Sequence, residues 1–507
     1  MVCTFVRSLQ PAVNSSLAHS SIGTTIVQYR DKTSDTAEVI QIAKELHKVC
    51  RAANVPLLIN DRIDVALAVG VEGVHIGQDD MNLKSARKIL GPDAIIGVTT
   101  NNEEEALQAA QDGADYLGIG TVYATQTKEN TKTIIGTAGV QQILTSLAKA
   151  GHTDIKTVCI GGVNASNAQR ILYQSTSPLK KLDGVAVVSA IMGSEDARAS
   201  AENLKHLLSQ PPPFAPTSNP QPLTSASIKE KAPPLLARLA SLKPLSHNMT
   251  NLVVQNFAAN VALAIGASPI MSNNGLEAGD LAALGGALVV NMGSTTPEAR
   301  RDHLQAVAAY NAAGGPVVLD PVGAGATEQR REGTRALLAG GYFDCVKGNE
   351  GEIRTVSGAR GVQQRGVDSG SSQLSLEQRV ELVRTTAKTQ RNVVLMTGST
   401  DVVSDGERTF TVGNGHEYLG EITGSGCTLG TTVSACLAVE KDGGDKLLAV
   451  LAAVIMFEIA AERAAGREVV QGPGTFVPAF IDALYQIRKA NEQGDFGWIE
   501  AAKVETM

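Results

Sequence analysis

The chain has 507 residues, 43% hydrophobic and 19% charged, with a formal net charge of −7. That length exceeds one ordinary domain, the apolar share can furnish two cores, and the acidic balance speaks against nonspecific nucleic-acid binding. Six scattered cysteines, Cys3, Cys50, Cys159, Cys345, Cys427 and Cys436, form no CxxC and no Cys/His cluster at zinc spacing. They point to a reducing compartment, without a disulfide frame or a zinc site.

The chain opens without an acidic residue before Asp31, as a transit peptide would, but Arg7 and Arg30 are its only basic residues there. A cytoplasmic location is expected. No membrane span is expected either: the longest apolar run, Leu447–Phe457, is too short and is closed by Glu458, so it reads as a buried helix.

VCTFV (2–6) is the single candidate for an opening strand, and the residues after it lack helical periodicity. From Thr24 to Ser209 short apolar runs then alternate with amphipathic ones. The strands are TTIVQ (24–28), PLLIN (56–60), GVHIG (73–77), AIIGV (94–98), YLGIG (116–120), TVCIG (157–161) and GVAVVS (184–189). In Ser34–Asn54, Val39, Ile42, Leu46 and Val49 share a helical face, and Ser34 or Asp35 can cap it. Such alternation predicts a parallel sheet, here a small (β/α)8 TIM barrel with an atypical first strand.

The polar residues gather just past the strand C-termini, which converge on one mouth in such a barrel. They are Gln28, Arg30 and Lys32, then Asn60 and Asp61, Gln78, Asp79 and Asp80, and Thr99. Thr125, Thr127 and Lys128, Gly161 and Gly162, and Ser189 complete the set. Carboxylates, cations and hydroxyls in one mouth suit a Mg²⁺-bound di- or polyphosphate, and the last glycines and VSAI (188–191) lie where such barrels hold a phosphate. Singly, QYRDK is a solvated turn, Asn60 or Asp61 a helix cap and GGVN a tight turn. Independent caps and turns need not carry complementary chemistry, and here they do.

Between Pro211 and Pro222 lie six of the nineteen prolines, within the Ser/Thr/Asn/Gln-rich stretch Ser209–Lys231. It reads as an extended tether, dividing the chain into 1–209, a linker 210–231, and 232–507.

After a short helix at Leu235–Leu242, an apolar helix spans Asn251–Ala264 and ASPIMS reads as strand and loop. Further strands are ALVVNMG (287–293), PVVLDPVG (316–323), CVKGNEGEI (345–353, leading into a helix) and VVLMTG (393–398). Ala-rich helices follow at Cys427–Glu440 and Lys446–Ala465, so this half is an α/β/α layered domain. In EITGSGCTLG (421–430) glycines precede a helix, an arrangement that aims backbone N–H groups and the positive helix end at an anion. By itself a GxG is as readily a capping turn, and Cys427 a small buried hydrophobe.

QYRDK (28–32), IND (59–61), VHIGQDD (74–80), GTVYATQTK (120–128), IGGVN (160–164) and VVSAI (187–191) together resemble thiamine-phosphate synthase, over about Thr24–Ser209. That family condenses hydroxymethylpyrimidine diphosphate with a carboxylated thiazole phosphate, releasing diphosphate and CO₂. The resemblance implies that Gln28, Arg30 and Lys32 hold the pyrimidine diphosphate with Asn60, and that Asp61 and Asp80, rather than Asp79, bind Mg²⁺. Thr99 stands where the family often has serine and keeps the hydroxyl. Thr125 and Thr127 would hold the thiazole substrate and Lys128 the diphosphate. Gly161 or Gly162, with Val188 and Ser189, would take the thiazole phosphate. The family's opening YLVTD-type strand and helix have no match in Met1–Gly23; either Val2–Val6 substitutes, or the barrel is abbreviated and inactive.

In the second half, the SHNMTN…NFAAN…GASPIM segment (246–271), DPVGAGAT (320–327) with Arg330, KGNEGEI (347–353), MTGSTDVVSDG (396–406) and GSGC resemble hydroxyethylthiazole kinase, a ribokinase-like family, over about 245–485. The resemblance implies transfer of the ATP γ-phosphoryl to hydroxyethylthiazole. Met271 would contact the thiazole, Arg330 and Thr397 the ATP, and Gly424 the substrate side of the anion hole. Cys427 would stand at the catalytic position where related kinases have an aspartate base; a thiol is a poor base near neutrality unless the helix N-terminus lowers its pKa. Asn349 with Glu350 or Glu352 fits either Mg²⁺-water ligands or a helix start. The whole reads as a two-headed enzyme of thiamine biosynthesis acting on small molecules with Mg²⁺ and ATP, expected to be a homo-oligomer. The alternatives are a kinase beside an inert, ligand-binding barrel and a pyrimidine kinase of the same superfamily.

Overall fold

A computed structural model of the chain describes residues 2–6, 24–125, 134–216, 221–294, 296–359 and 374–507. Thr127, Lys128 and residues 7–23 therefore lie outside the described residues. The chain divides into two compact units, Met1–Pro212 and Pro213–Met507.

In the first unit eight parallel strands close into a barrel in chain order. They are β1 (Val2–Val6), β2 (Ile26–Tyr29), β3 (Leu57–Asn60), β4 (Gly73–Ile76), β5 (Ile95–Thr100), β6 (Tyr116–Gly120), β7 (Lys156–Ile160) and β8 (Gly184–Val187). The atypical opening supplies the missing strand: Thr4 lies beside Val27 of β2 and Cys3 beside Ala186 of β8. Closure removes both sheet edges, which an abbreviated barrel would have exposed.

Strand residues alternate between two cores. Val27, Leu57, Ile59, Val74, Ile96, Leu117 and Val185 pack outward under the helices. Ile26, Leu58, Tyr116, Val158 and Ala186 meet inside the barrel. The same alternation puts Gln28, Asn60, His75 and Thr99 on the inward parity, toward the strands' C-terminal ends. In helix Thr36–Ala52 the buried face is Val39, Ala43, Leu46, His47 and Cys50. Ile42 and Val49 of the expected face are only partly buried. Asp35 occupies the cap position without a side-chain capping bond.

The second unit is a nine-stranded sheet ordered β10-β9-β11-β12-β13-β14-β15-β16-β17. The strands are β9 (Leu245–Met249), β10 (Ser268–Ile270), β11 (Ala287–Asn291), β12 (Val317–Asp320), β13 (Cys345–Asn349) and β14 (Val393–Thr397), then β15 (Asp401–Ser404), β16 (Thr409–Val412) and β17 (Val504–Thr506). Pairing is parallel as far as β14 and antiparallel beyond it. Helices cover both faces, as a largely parallel sheet requires, giving the ribokinase-like α/β/α architecture. Helix Lys446–Ala465 is buried along most of its length. No helix among the described residues is long and apolar enough to cross a membrane.

The C-terminal part of the expected tether is helical. Helix Ser225–Leu242 starts well before Leu235, with a capping box between Thr224 and Ser227 and with Pro233 and Pro234 inside it. Leu223, Ile228, Ala232, Leu235, Leu236 and Leu239 recur at helical spacing and join the core. Phe214 stacks on Tyr342 with ring centroids 4.3 Å apart, and its carbonyl accepts from Lys446 Nζ at 2.7 Å. Composition suggested a solvated spacer; the apolar period and the cap outweigh it.

Candidate active sites

At the barrel mouth, Asp61 follows β3 in a left-handed conformation, φ 64°, with its N–H bonded to the His75 carbonyl at 2.9 Å. The following helix, Ile63–Val69, is entered through Arg62 without a side-chain cap, so neither Asn60 nor Asp61 is spent on capping. The Asp61 carboxylate instead meets Lys32 Nζ at 2.7 Å and hydrogen-bonds the Asp80 carboxyl. Asp80 Oδ2 also accepts the Gly77 N–H at 2.7 Å, whereas Asp79 is exposed. Burial, then the hydrogen bond to Asp61, pushes the Asp80 carboxyl above the usual carboxylate range.

Two facing carboxylates form a donor set that a divalent cation would satisfy. No group of three or more His, Cys, Asp or Glu suited to a metal occurs among the described residues. Two carboxylates are the kind of ligand set Mg²⁺ takes, its shell completed by water and phosphate.

Gln28 is fully buried, and among the described residues neither its Nε2 nor its Oε1 has a hydrogen-bond partner. Deeper in the barrel lies a chain that residue-by-residue reading missed: His75 bonds Tyr116 Oη through Nδ1 and Thr99 Oγ1 through Nε2, both at 2.8 Å. Gly97 makes room for it, because a Cβ there would fall 2.1 Å from the Tyr116 ring. The available signal was a histidine and a tyrosine at inward positions of two apolar strands.

Gly161 (φ 101°) and Gly162 (φ 67°) lie under the root of the loop after β6: their Cβ atoms would fall 2.3 Å from Thr121 Cγ2 and 2.8 Å from Tyr123 Cβ. Thr125 stands at that root, and Arg30 is partly exposed at the mouth. Val188 caps a short helix that starts at Ser189.

In the second unit, Gly424 (φ 92°) caps helix Ser425–Val439, and a Cβ on it would fall 2.5 Å from Val254. Cys427 Sγ, in the first turn, accepts from Asn291 Nδ2 at 3.2 Å and Asn251 Nδ2 at 3.5 Å. Asn291 Nδ2 also reaches Asp320 Oδ2 at 2.8 Å, and Asp320 Oδ1 pairs with Lys347 Nζ at 3.1 Å. Burial, then the Asp320 charge, pushes the Cys427 thiol up to about 11. Asn291, Asp320 and Lys347 were not singled out from the sequence; their signal was a polar residue within or ending an otherwise apolar strand.

Asn349 and Glu352 form a reciprocal capping box, so the helix start is what this segment builds. Glu352 Oε1 also accepts the Gly323 N–H at 2.8 Å, and burial, then Asp320, pushes its carboxyl up to about 7. Glu350 is buried, 3.9 Å from Arg354. Arg330 donates to the carbonyls of Met292 (2.9 Å), Val322 (2.7 Å) and Gly293 (2.9 Å), bracing the loops after β11 and β12. Thr397 Oγ1 is 3.4 Å from the Gly348 carbonyl, and Met271 is half-buried just after β10.

A barrel with a carboxylate–lysine mouth, followed in the chain by a ribokinase-like sheet whose glycine turn opens a helix, suits a two-unit transferase acting on phosphate-bearing substrates. The family model for thiamine monophosphate synthase matches residues 4–191, and that for the hydroxyethylthiazole kinase family matches residues 236–490. The probable thiamine biosynthetic bifunctional enzyme of Schizosaccharomyces pombe is 45% identical over 489 residues, 95% of this chain and 93% of that one. The thiamine biosynthetic bifunctional enzyme of Saccharomyces cerevisiae is 36% identical over 500 residues, 93% and 91% of the two chains. The thiamine-phosphate synthase of Chloroflexus aurantiacus matches the first unit, 44% identical over 187 residues, 37% of this chain and 81% of that one.

The chain belongs to the family of thiamine biosynthetic bifunctional enzymes. It is a thiamine-phosphate synthase fused to a hydroxyethylthiazole kinase.

Proposed function

We propose that the barrel mouth joins the pyrimidine diphosphate to the thiazole phosphate through the residues at its strand ends. Gln28, Arg30, Lys32 and Asn60 hold the pyrimidine diphosphate, with Thr99 and Lys128 beside it. Thr125 and Thr127 orient the thiazole, while Gly161, Gly162, Val188 and Ser189 receive its phosphate. Asp61 and Asp80 would hold Mg²⁺, which when bound neutralises charge on the departing diphosphate. Lys32 and Arg30 add fixed positive charge on the same side, so the carbon–oxygen bond breaks without a general base, and the thiazole nitrogen captures the pyrimidine cation.

The observation that carries this assignment is the buried Gln28 amide, inward-facing with neither polar atom bonded among the described residues. An orphan amide of this kind costs stability until a ligand bonds it. Gln28→Leu is thus expected to stabilise the free barrel by about 1–3 kcal/mol while raising KM for the pyrimidine diphosphate at least tenfold. An unchanged KM, read by thiamine phosphate formation at varied pyrimidine diphosphate, would remove Gln28 from the site.

In the kinase unit Met271 contacts the thiazole, Arg330 and Thr397 face the ATP, and the backbone from Gly424 to Cys427 cradles the transferring phosphoryl group. With its thiol held protonated, Cys427 orients the attacking hydroxyl instead of deprotonating it, and rate comes from positioning and the anion hole. Cys427→Asp is expected to keep or raise kinase turnover, because the Asn251 and Asn291 amides can serve a carboxylate equally well. Complete loss of ADP formation in that variant would refute the base-position assignment. Cys50, Cys159, Cys345, Cys427 and Cys436 are free thiols, which supports a cytoplasmic location.

A further inference from the structure

Inside the barrel, His75 and Tyr116 are buried polar residues with no assigned part in the synthase reaction. The strand register explains how they meet. His75 of β4 lies beside Gly97 of β5, and Gly97 beside Tyr116 of β6, so three inward residues form one row across the sheet. The central residue has no side chain, and the outer two join over it: a Cβ on Gly97 would fall 2.1 Å from Tyr116 Cζ and 2.5 Å from its Oη. In the next row Thr99 lies beside Gly118, where a Cβ would stand 3.1 Å from His75 Cε1. Glycine weakens a strand interior, so two of them beside one imidazole mark space kept for it.

The row leads outward through two hydrogen bonds. His75 Nδ1 meets Tyr116 Oη and Nε2 meets Thr99 Oγ1, both at 2.8 Å. Tyr116 packs with Ile26, Leu58, Val158 and Ala186 in the apolar interior, whereas Thr99, near the C-terminal end of β5, is only partly buried. Gln78, in the loop after β4, holds Thr99 a second time, its Nε2 donating to the Thr99 carbonyl at 2.7 Å. Backbone and hydroxyl are thus both fixed from β4 and its loop.

We infer that Tyr116 and His75 are positioning residues of the synthase site, fixing the Thr99 hydroxyl as a hydrogen-bond donor toward the diphosphate of the pyrimidine substrate. The inference rests on the assignment of Thr99 to that substrate.

The chemistry of the ligand sets the direction of the chain. Diphosphate oxygens are negatively charged acceptors. A hydroxyl that spent its proton on the imidazole would turn only lone pairs toward them. An imidazole that accepts at one ring nitrogen donates from the other. With the phenol donating to Nδ1, Nε2–H donates to Thr99 Oγ1, and Thr99 keeps its own proton for the mouth.

The test uses the full chain with Mg²⁺, pyrimidine diphosphate and thiazole phosphate. It reads kcat, both KM values and inhibition by inorganic diphosphate. Tyr116→Phe keeps the ring and removes only the phenol oxygen. It is expected to weaken inhibition by diphosphate, and to lower kcat/KM for the pyrimidine diphosphate, by about three- to tenfold, with KM for the thiazole phosphate within about twofold. His75→Leu is expected to lose about tenfold or more, and His75→Gln, whose amide can still donate to Thr99 Oγ1, to recover most of that loss. The decisive comparison is made in Thr99→Val: there Tyr116→Phe should cost nothing further, as residues acting through one hydroxyl require. An effect of Tyr116→Phe that is equally large with and without the Thr99 hydroxyl is the mark of a purely structural role and would overturn the inference. So would an unchanged kcat/KM in Tyr116→Phe, even if His75→Leu does not fold. Thr99→Val by itself separates the two claims. Unchanged inhibition by diphosphate there refutes the assignment of Thr99, and the inference with it. Weakened inhibition there, beside unaffected Tyr116 and His75 variants, overturns the inference and leaves the assignment standing.

Discussion

Asp80→Asn is expected to lower thiamine phosphate formation by roughly two to three orders of magnitude while leaving thiazole phosphorylation within about twofold. The effect is large because Asp61 and Asp80 face each other at the mouth, with Lys32 2.7 Å from Asp61. Removing one carboxylate would leave only one of the two acids proposed to hold the cation. The same variant should alter the pH dependence of the barrel in a direction fixed by the sign of the shift. Asp80 is raised in the folded state, so without Mg²⁺ its contribution to stability declines as pH rises from the unfolded carboxylate value through the folded one. Added Mg²⁺ should reverse that decline in the wild type, and Asp80→Asn should abolish both effects. Thermal unfolding of the barrel with and without Mg²⁺ reads this directly. A variant that keeps the full Mg²⁺ stabilisation would exclude Asp80 as a ligand.

Lys347→Met is expected to be the most destabilising single change in the kinase unit. The Lys347 and Asp320 side chains are only 4% and 1% exposed, 3.1 Å apart. Burial works against the ammonium, and the Asp320 and Glu352 charges overcome it, so Lys347 stays charged. Deleting it strands a carboxylate in the middle of the sheet, at a cost of about 3–5 kcal/mol, or on the order of 10 °C in the unfolding midpoint of that unit. The double variant Lys347→Met/Asp320→Asn should recover most of the stability, because no lone charge remains. It should not recover ADP formation, because Asn291 loses its carboxylate partner and the Gly426 turn loses the ammonium, whose Nζ lies 3.6 Å from where a Gly426 Cβ would stand. A single variant that melts like the wild type would show that the pair carries no such load.

Some features follow from short-range rules. The order of the barrel strands from β2 onward follows from a period of two interrupted by helical runs. The placement of Gln28, Asn60 and Asp61, Asp80, Thr99 and the paired glycines follows from the geometry of strand ends. The glycine turn before Cys427 follows from a left-handed Gly424 that opens helix Ser425–Val439. All of these depend on chain neighbours within one or two turns, so the sequence by itself determined both fold classes and where the polar strand-end residues of the barrel fall.

Only the tertiary structure decided what depends on partners far along the chain. Val2–Val6 carries no strand signal beyond its composition; it becomes β1 because β2 and β8 each offer an edge that it pairs. Residues from Thr224 onward leave the expected tether because Leu223 and Ile228 find a core contributed by distant helices. His75 acquires its role from Tyr116 and Thr99, and Cys427 its raised thiol from Asp320, a residue more than a hundred positions earlier in the chain. In each case the deciding term is burial beside a specific charge or donor, and neither is fixed until the strands have been brought together.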